Sequence, residues 1–245
     1  MGLFSNRLDR KSLKPGDHIY SWRAAYIYAH HGIYVGDDKV IHFTRRGQEP
    51  GTGSVLDVLT VCSSPPPSLV PCPTCANPVN TNGVITSCLD CFLAGGVLYR
   101  FEYSANLGVF MAKARGGTCT LAASDPPETV LHRANHLLEH GFGCYNVFKN
   151  NCVDFAVYCK TELLVSEKKT VGQNLQTASN IGGPILTFAS TIAKLANTNI
   201  YVRIGSGMVS GVATHYVNRY ATDVGIRSDV VKVSVEDLTR RHNAS

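Results

Sequence analysis

The stretch YAHHGIYVGDDKVIHF, residues 28–43, constrains the fold of this chain more than any other segment. Two runs rich in β-branched and aromatic residues meet at Asp37-Asp38, a pattern that predicts two antiparallel strands joined by a tight turn. The hairpin also carries three histidines, of which His30 and His42 lie twelve residues apart across the turn. The turn can therefore bring these two imidazoles side by side on neighbouring strands.

Composition limits the remaining possibilities. The chain has 245 residues, of which 44% are hydrophobic and 17% charged, so it predicts a globular protein with a core, as one elaborated domain or two small ones. The formal net charge of +5 mildly favours acidic membrane surfaces, but no long basic run indicates nucleic acid. The start of the chain lacks the apolar segment of a signal peptide, which predicts a reducing, cytoplasmic environment.

Two helices are predicted downstream of the hairpin. The segment SDPPETVLHRANHLLEHG has Asp125 as a cap, Pro126 at the first helical position, Glu128 for a capping box and Gly141 as a stop. Histidines at 132, 136 and 140 fall nearly opposite its apolar face, which predicts a solvated stripe rather than a metal site. The second helix is predicted to begin near Asn151 or Cys152 and to continue through VDFAVYCKTELL.

Cys152 is the candidate nucleophile. A helix start favours a thiolate, because backbone N–H groups and the helix dipole stabilise negative charge there. A thiol nucleophile also needs a base and a group that orients the base. His30 and His42 on the hairpin are candidates for these two roles. The residue types alone leave a second interpretation open, in which Cys152 is a small buried side chain and the histidines are surface residues.

Four of the nine cysteines form two CxxC pairs, CPTC and CLDC, separated by twelve residues. Two such pairs supply four thiolates, which is the ligand set of a closed, structural zinc site. A redox role for either pair needs a βαβ context that the proline-rich surroundings do not provide. The predicted ligands are Cys72, Cys75, Cys88 and Cys91, and no motif indicates an organic cofactor.

Three motifs together resemble the lecithin:retinol acyltransferase (LRAT) domain family, and especially its plant NC-domain members. They are GDHIY, HHGIYVGDDKVIHF and YNVFKNNCVDFAVYC, in the order and spacing of that family. The resemblance implies an α+β, circularly permuted NlpC/P60 (papain-like) fold, with an antiparallel sheet packed on helices. It also implies Cys–His–His acyl transfer on lipids, with Cys152 as nucleophile, His30 as general base, His42 as third residue and Asn151 as part of the motif. The chain departs from the animal pattern Asn-Cys-Glu-His-Phe at Val153 and Asp154, which leaves the substrate open.

The predicted organisation has three parts. Residues 13–165 form the LRAT-like domain, residues 62–96 interrupt it as a four-cysteine zinc-binding insertion, and residues 166–245 form a linker and an apolar, helical extension. The two apolar runs of the extension are too interrupted to span a membrane, but they can pack in a core or lie peripherally on a membrane surface.

These features support three functions from the sequence. The first is a thiol-dependent acyltransferase or phospholipase that acts on lipid or acyl esters through a cysteine thioester. The second is a cysteine amidase or peptidase with the same triad. The third is a non-catalytic lipid-binding or scaffold protein.

Overall fold

The computed structural model describes residues 6–23, 28–44, 72, 75, 83–113, 116–145, 150–165 and 213–243. Its strands are β1 (His18–Arg23), β2 (Tyr28–Gly36), β3 (Lys39–Phe43), β4 (Val84–Cys88), β5 (Tyr99–Arg100), β6 (Leu163–Val165) and β7 (Val230–Lys232). Its helices are α1 (Leu89–Leu93), α2 (Leu107–Ala112), α3 (Pro127–His140), α4 (Cys152–Thr161) and α5 (Val235–Asn243). Residues 213–221 are also helical.

The predicted hairpin is the centre of a five-stranded antiparallel sheet with the order β4-β3-β2-β1-β5. Asp37 and Asp38 have φ angles of 50° and 52°, which are the left-handed values that a two-residue hairpin turn requires. A register shift between Tyr34 and Gly36 marks a bulge next to the turn. The hairpin prediction is therefore confirmed.

The described part of the predicted insertion belongs to this sheet. Strand β4 pairs with β3 from Phe43–Val84 to Lys39–Cys88 and forms one edge of the sheet. Helix α1 follows directly, and its side chains Leu89 and Phe92 pack against the sheet residues Ile19 and Val40. These residues of the insertion therefore extend the main domain rather than forming a separate module.

Helix α4 covers the opposite face of the sheet, and α3 packs beside it. The main core joins Ile33, Ile41 and Phe43 of the sheet to Phe155 and Tyr158 of α4. This arrangement confirms the predicted α+β class with an antiparallel sheet packed on helices. The circular permutation stays a prediction.

The start of α3 differs from the prediction by one residue. Pro126 occupies the cap position without a side-chain hydrogen bond, and Pro127 is the first helical residue. Asp125 does not cap the helix, because its carboxylate accepts a hydrogen bond of 2.7 Å from Arg133 instead. Gly141 ends the helix with a φ angle of 85°, as predicted.

The described C-terminal residues fold back onto the domain. Helix α4 ends at Thr161, three residues earlier than predicted, and the chain continues as β6, which pairs with β7. Helix α5 packs on α3, where Glu236 contacts His132 at 3.0 Å and Thr239 contacts His136 at 3.1 Å. His132 and His140 are exposed as the predicted stripe requires, but the prediction is wrong for His136, which is half-buried beside α5.

The two apolar runs of the extension lie largely outside the described residues. The first covers residues 182–198, and the second begins at residue 201 and becomes described only from residue 213. Among the helices that the structure describes, none combines the length and the apolarity of a membrane span.

Candidate active site

Cys152 is the first residue of α4, and Asn151 caps the helix. The Asn151 side chain accepts hydrogen bonds from the N–H groups of Val153 and Asp154, and the Asp154 carboxylate accepts one from the N–H of Asn151. This reciprocal capping box fixes the direction in which the helix leaves the preceding loop. Asn151, which was predicted only as part of the nucleophile motif, is thus the N-cap of α4.

The Cys152 thiol lies against the backbone on both sides of His30. Its sulfur is 3.8 Å from the carbonyl oxygen of Ala29, and the backbone of His31 also forms a hydrogen bond to it. The pairing of β2 with β3 runs from Ile33 towards the turn, so the thiol lies beyond the end of that pairing. The structure thus places the Cys152 sulfur against the backbone of Ala29 and His31, beyond the end of the β2–β3 pairing, and the sulfur forms no hydrogen bond with Nδ1 of His30.

Burial keeps this thiol protonated. Cys152 is 2% exposed, and its desolvation raises the pKa to about 11, although hydrogen bonds from the His31 backbone and the Tyr145 side chain oppose the shift. The expectation that the helix start produces a thiolate is therefore wrong for this structure. Desolvation of a buried anion outweighs the stabilising backbone dipoles here.

His30 and His42 meet on the sheet face that also contacts α1. The Nε2 atom of His30 is 2.9 Å from Nδ1 of His42, and Nε2 of His42 is 2.9 Å from Oγ of Ser87. The Nδ1 atom of His30 is buried without a hydrogen-bond partner among the described residues. The chain His30–His42–Ser87, termed the cavity-side chain below, therefore ends on one free imidazole nitrogen.

A cavity adjoins the cavity-side chain. It encloses about 320 Å³ of atom-free space, including solvent at its mouth, and Arg23, His30, His42, Ile85, Ser87, Cys91 and Phe92 line it. The guanidinium of Arg23 donates to the carbonyl oxygens of Phe92 and Leu93, which fixes it at the cavity wall. Burial lowers the pKa values of both imidazoles, and the Arg23 charge lowers them further, so both rings are neutral near pH 7.

His31 lies in a second chain of hydrogen-bonded side chains, on the other sheet face. Its Nδ1 atom is 2.9 Å from Nε2 of His18, and Nδ1 of His18 is 2.7 Å from the Tyr103 hydroxyl. The chain His31–His18–Tyr103 is termed the core-side chain below. Aromatic rings enclose it, with Phe101 stacked on His18 at 4.4 Å and Tyr20 stacked on His31 at 5.2 Å.

Three residues of these chains were missed at the sequence level. His18 could have been found, because β1 and β2 are neighbouring strands and its side chain shares a face with His31. Ser87 and Tyr103 carry no such signal. Each contacts its histidine across a sequence separation of 45 or 85 residues that only the folded sheet reveals.

The four predicted metal ligands lie together at the end of β4. The sulfur atoms of Cys72, Cys75, Cys88 and Cys91 all lie within 4.8 Å of one another. The distance between the sulfurs of Cys72 and Cys88 is 3.8 Å, which matches the ~3.8 Å separation that follows from tetrahedral Zn–S bonds of about 2.3 Å. Backbone N–H groups of Cys88 and Cys91 donate to ligand sulfurs at 3.0 and 3.4 Å, as hydrogen-bond donors around metal-bound groups commonly do.

Comparison with known proteins agrees with the motifs. The family model described as lecithin retinol acyltransferase matches residues 11–165. Protein LEAD-SENSITIVE 1 of Arabidopsis thaliana is 64% identical over 242 residues, which cover 98% of this chain and 92% of that protein. No solved structure matches. The match over more than half of the chain, together with the plant relative, shows that this protein belongs to the lecithin retinol acyltransferase (LRAT) family.

Proposed function

We propose that this protein is a thiol-dependent acyltransferase or phospholipase that takes an acyl group from a lipid ester onto Cys152. The observation that carries the proposal is the position of the Cys152 thiol against the backbone around His30. The imidazole of His30 keeps one nitrogen free while His42 holds the other. His30 and His42 are hydrogen-bond neighbours, as a base and its orienting group should be, and the proposal requires that the Cys152 sulfur approach Nδ1 of His30, to which it is not hydrogen-bonded in this structure.

The proposed reaction has two halves. In the first, the thiol proton moves to Nδ1 of His30 as the sulfur attacks the ester carbonyl. The C–O bond then breaks, the proton passes from His30 to the departing alcohol oxygen, and a thioester remains on Cys152. In the second half, His30 takes a proton from water or an acceptor hydroxyl or amine as it attacks the thioester. The C–S bond then breaks, and the proton passes from His30 to the sulfur, which restores the thiol.

The raised pKa of Cys152 determines how the first half begins. A thiol with a pKa of about 11 and an imidazole whose pKa is lowered by burial are both uncharged at pH 7. Proton transfer therefore accompanies the attack on the carbonyl rather than preceding it. The negative charge that develops on the carbonyl oxygen needs N–H donors. The Cys152 N–H is a candidate, because the capping box occupies those of Asn151, Val153 and Asp154 instead.

Intact mass spectrometry tests the proposal. The full-length protein is mixed with a short-chain phospholipid, beside Cys152→Ala as the matched control. A single acyl mass on the wild type that is absent from the variant supports a thioester on Cys152. Absence of an acyl adduct on the wild type contradicts the proposal, whereas slow alkylation of Cys152 by iodoacetamide does not, because a buried, protonated thiol reacts slowly in either case. No adduct with fast alkylation favours the amidase interpretation, since the thiol is then reactive towards a different acyl donor.

A non-catalytic function is the second candidate, and the burial of Cys152 favours it. A thiol that is 2% exposed and whose pKa is raised to about 11 matches an inert core cysteine as well as a resting nucleophile. In that case the protein binds lipid or acyl esters, or docks peripherally on a membrane, without turnover. Liposome flotation with and without the C-terminal extension separates membrane docking from catalysis, because flotation requires no reactive thiol.

We propose further that the cysteine cluster holds a structural zinc ion. The four sulfurs have the spacing of a tetrahedral thiolate site, and four protein ligands leave no position for a substrate. A zinc ion bound there would join Cys72 and Cys75 to the edge strand β4 and the start of α1. Elemental analysis of the purified protein should give one zinc per chain. Cys75→Ser should lower that content, whereas Cys144→Ser, at an exposed cysteine outside the cluster, should not.

A further inference from the structure

The cavity-side chain ends at the hydroxyl of Ser87, a residue outside the three family motifs. Ser87 lies on β4, where its backbone pairs with Val40, and its hydroxyl is 2.9 Å from Nε2 of His42. Both side chains are buried, with 2% of His42 and 9% of Ser87 exposed. The next residue, Cys88, is one of the four clustered cysteines, and β4 is hydrogen-bonded to β3 along its length. The hydroxyl is therefore held in place by the sheet.

Hydrogen positions along the chain determine whether His30 can act as a base. Neutral imidazole carries one proton, so each ring donates through one nitrogen and accepts through the other. If Ser87 accepts from His42 Nε2–H, then His42 Nδ1 accepts from His30 Nε2–H. That order leaves a lone pair on Nδ1 of His30, which is the atom that must receive the thiol proton.

The opposite order blocks the base. If the Ser87 hydroxyl donates to His42, each proton shifts along the chain and Nδ1 of His30 carries hydrogen. That hydrogen would be a buried donor without a partner, because Nδ1 of His30 has none among the described residues. Buried N–H donors without partners are rarer in proteins than acceptors with a spare lone pair. The environment thus favours the order in which Ser87 accepts.

We propose that Ser87 is a positioning residue of the candidate active site: by accepting from His42, it sets the tautomers of both imidazoles and leaves Nδ1 of His30 free for the Cys152 thiol. The inference rests on the proposed function for its purpose. It concerns the resting protein, however, so it can be tested without any substrate.

Nitrogen-15 NMR of the histidine rings in the zinc-loaded, full-length protein is the direct test. We expect His30 and His42 each to carry hydrogen on Nε2 and a lone pair on Nδ1. In Ser87→Ala the acceptor is lost, and the signals of His42 should shift towards the other tautomer. In Ser87→Thr, which keeps the hydroxyl, they should return. An Nδ1–H on His30 in the wild type, or identical tautomers in wild type and Ser87→Ala, overturns the proposal.

The rate of Cys152 alkylation by iodoacetamide provides a second readout. Loss of an orienting partner should slow the reaction by about ten-fold or more in Ser87→Ala, with recovery in Ser87→Thr. Thr86→Ala removes a hydroxyl from the adjacent, oppositely facing position of β4 and should leave the rate unchanged. Zinc content is measured on every variant, because a slow rate with lost metal would assign the effect to a displaced β4 and contradict the proposal. Failure of acyl transfer alone would leave the tautomers intact and would count against the proposed function only.

Discussion

Two hydrogen-bonded histidine chains occupy opposite faces of the same strand, and their surroundings differ. His30 and His31 are adjacent on β2, so their side chains point to opposite sides of the sheet. The cavity-side chain borders a cavity, whereas aromatic rings enclose the core-side chain. Each contains two imidazoles and ends on a hydroxyl. The two sets of side chains therefore have similar hydrogen-bond chemistry and differ in access, since one borders a cavity and the other is enclosed by aromatic rings.

The free nitrogen of each chain has a different neighbour. Nδ1 of His30 lies on the sheet face that borders the cavity, whereas the Cys152 sulfur contacts the backbone of Ala29 and His31 and is hydrogen-bonded to neither free imidazole nitrogen. Nε2 of His31 is also buried without a partner among the described residues, but it lies beside the loop at Gly117, where an added Cβ would be 3.9 Å away. These contacts assign the base to neither imidazole, and His30 stays the predicted base.

The largest expected effect comes from removing each candidate base in turn. His30→Ala should slow acyl-adduct formation on Cys152 by about 10²- to 10⁴-fold, the usual contribution of a positioned general base. His31→Ala should change the rate by less than about ten-fold after correction for the folded fraction. Mass spectrometry of the adduct against time measures both. A slow His31→Ala beside a fast His30→Ala would assign the base to the core-side chain.

Acid should destabilise both chains. Burial lowers the pKa values of all four histidines, for His31 and His42 to about 3, whereas their value in the unfolded chain is about 6.5. The unfolded chain then binds more protons than the folded one between these values. Stability is therefore full above about pH 6.5 and falls as the pH drops towards 3, by up to about 1.4 kcal/mol per pH unit for each histidine.

Urea unfolding at pH 7 and pH 5 measures this loss. We expect a lower free energy of unfolding at pH 5 for the wild type. His31→Phe should reduce the pH dependence, because one buried imidazole no longer takes up a proton on unfolding. A free energy of unfolding that is equal at the two pH values would show that the histidines are solvated in the folded protein.

The features of this site that could be predicted from the sequence are those set by residues close together in the chain. The hairpin turn, the start of α4 and the two CxxC pairs are local patterns, and the structure contains each of them where it was predicted. The meeting of His30 with His42 was predicted and is observed, but the two-residue turn alone does not produce it. A regular turn would pair His42 with Ile33, on the opposite face from His30, and the register shift between Tyr34 and Gly36 brings both imidazoles to one face. Their proposed roles in catalysis stay predictions.

The remainder depends on tertiary packing. The protonated state of Cys152 results from burial by the sheet, which the helix-start argument does not include. Asp125 does not cap the helix because Arg133, eight residues further along the chain, binds its carboxylate. Similarly, α5 reaches the histidine stripe from more than 100 residues along the chain and half-buries His136. The hydrophobic periodicity of a helix contains no information on partners from distant parts of the chain.

A smaller effect is expected when the middle of each chain is replaced. His18→Leu leaves Nδ1 of His31 and the Tyr103 hydroxyl without their partner in an aromatic core, which should lower the free energy of unfolding by about 1–3 kcal/mol. The rate of Cys152 alkylation should stay near that of the wild type. His42→Leu is the matched change in the cavity-side chain, where water can reach the polar groups that lose their partner. It should therefore lower the free energy of unfolding less than His18→Leu does, and it should slow Cys152 alkylation more. Equal stability losses with equal rates would mean that the two faces are equivalent.

The smallest expected effect comes from the terminal hydroxyls. Tyr103→Phe removes only the oxygen 2.7 Å from His18 and keeps the ring, over which the Lys160 ammonium lies at 5.3 Å. The loss of one buried hydrogen bond should lower the free energy of unfolding by about 1 kcal/mol and leave Cys152 alkylation unchanged. Ser87→Ala likewise removes only the terminal hydroxyl, here from the cavity-side chain, and it should mainly slow Cys152 alkylation. If Tyr103→Phe slows alkylation as much as Ser87→Ala does, the two chains are coupled through β2, and the thiol responds to the hydrogen-bond order on both faces of the sheet.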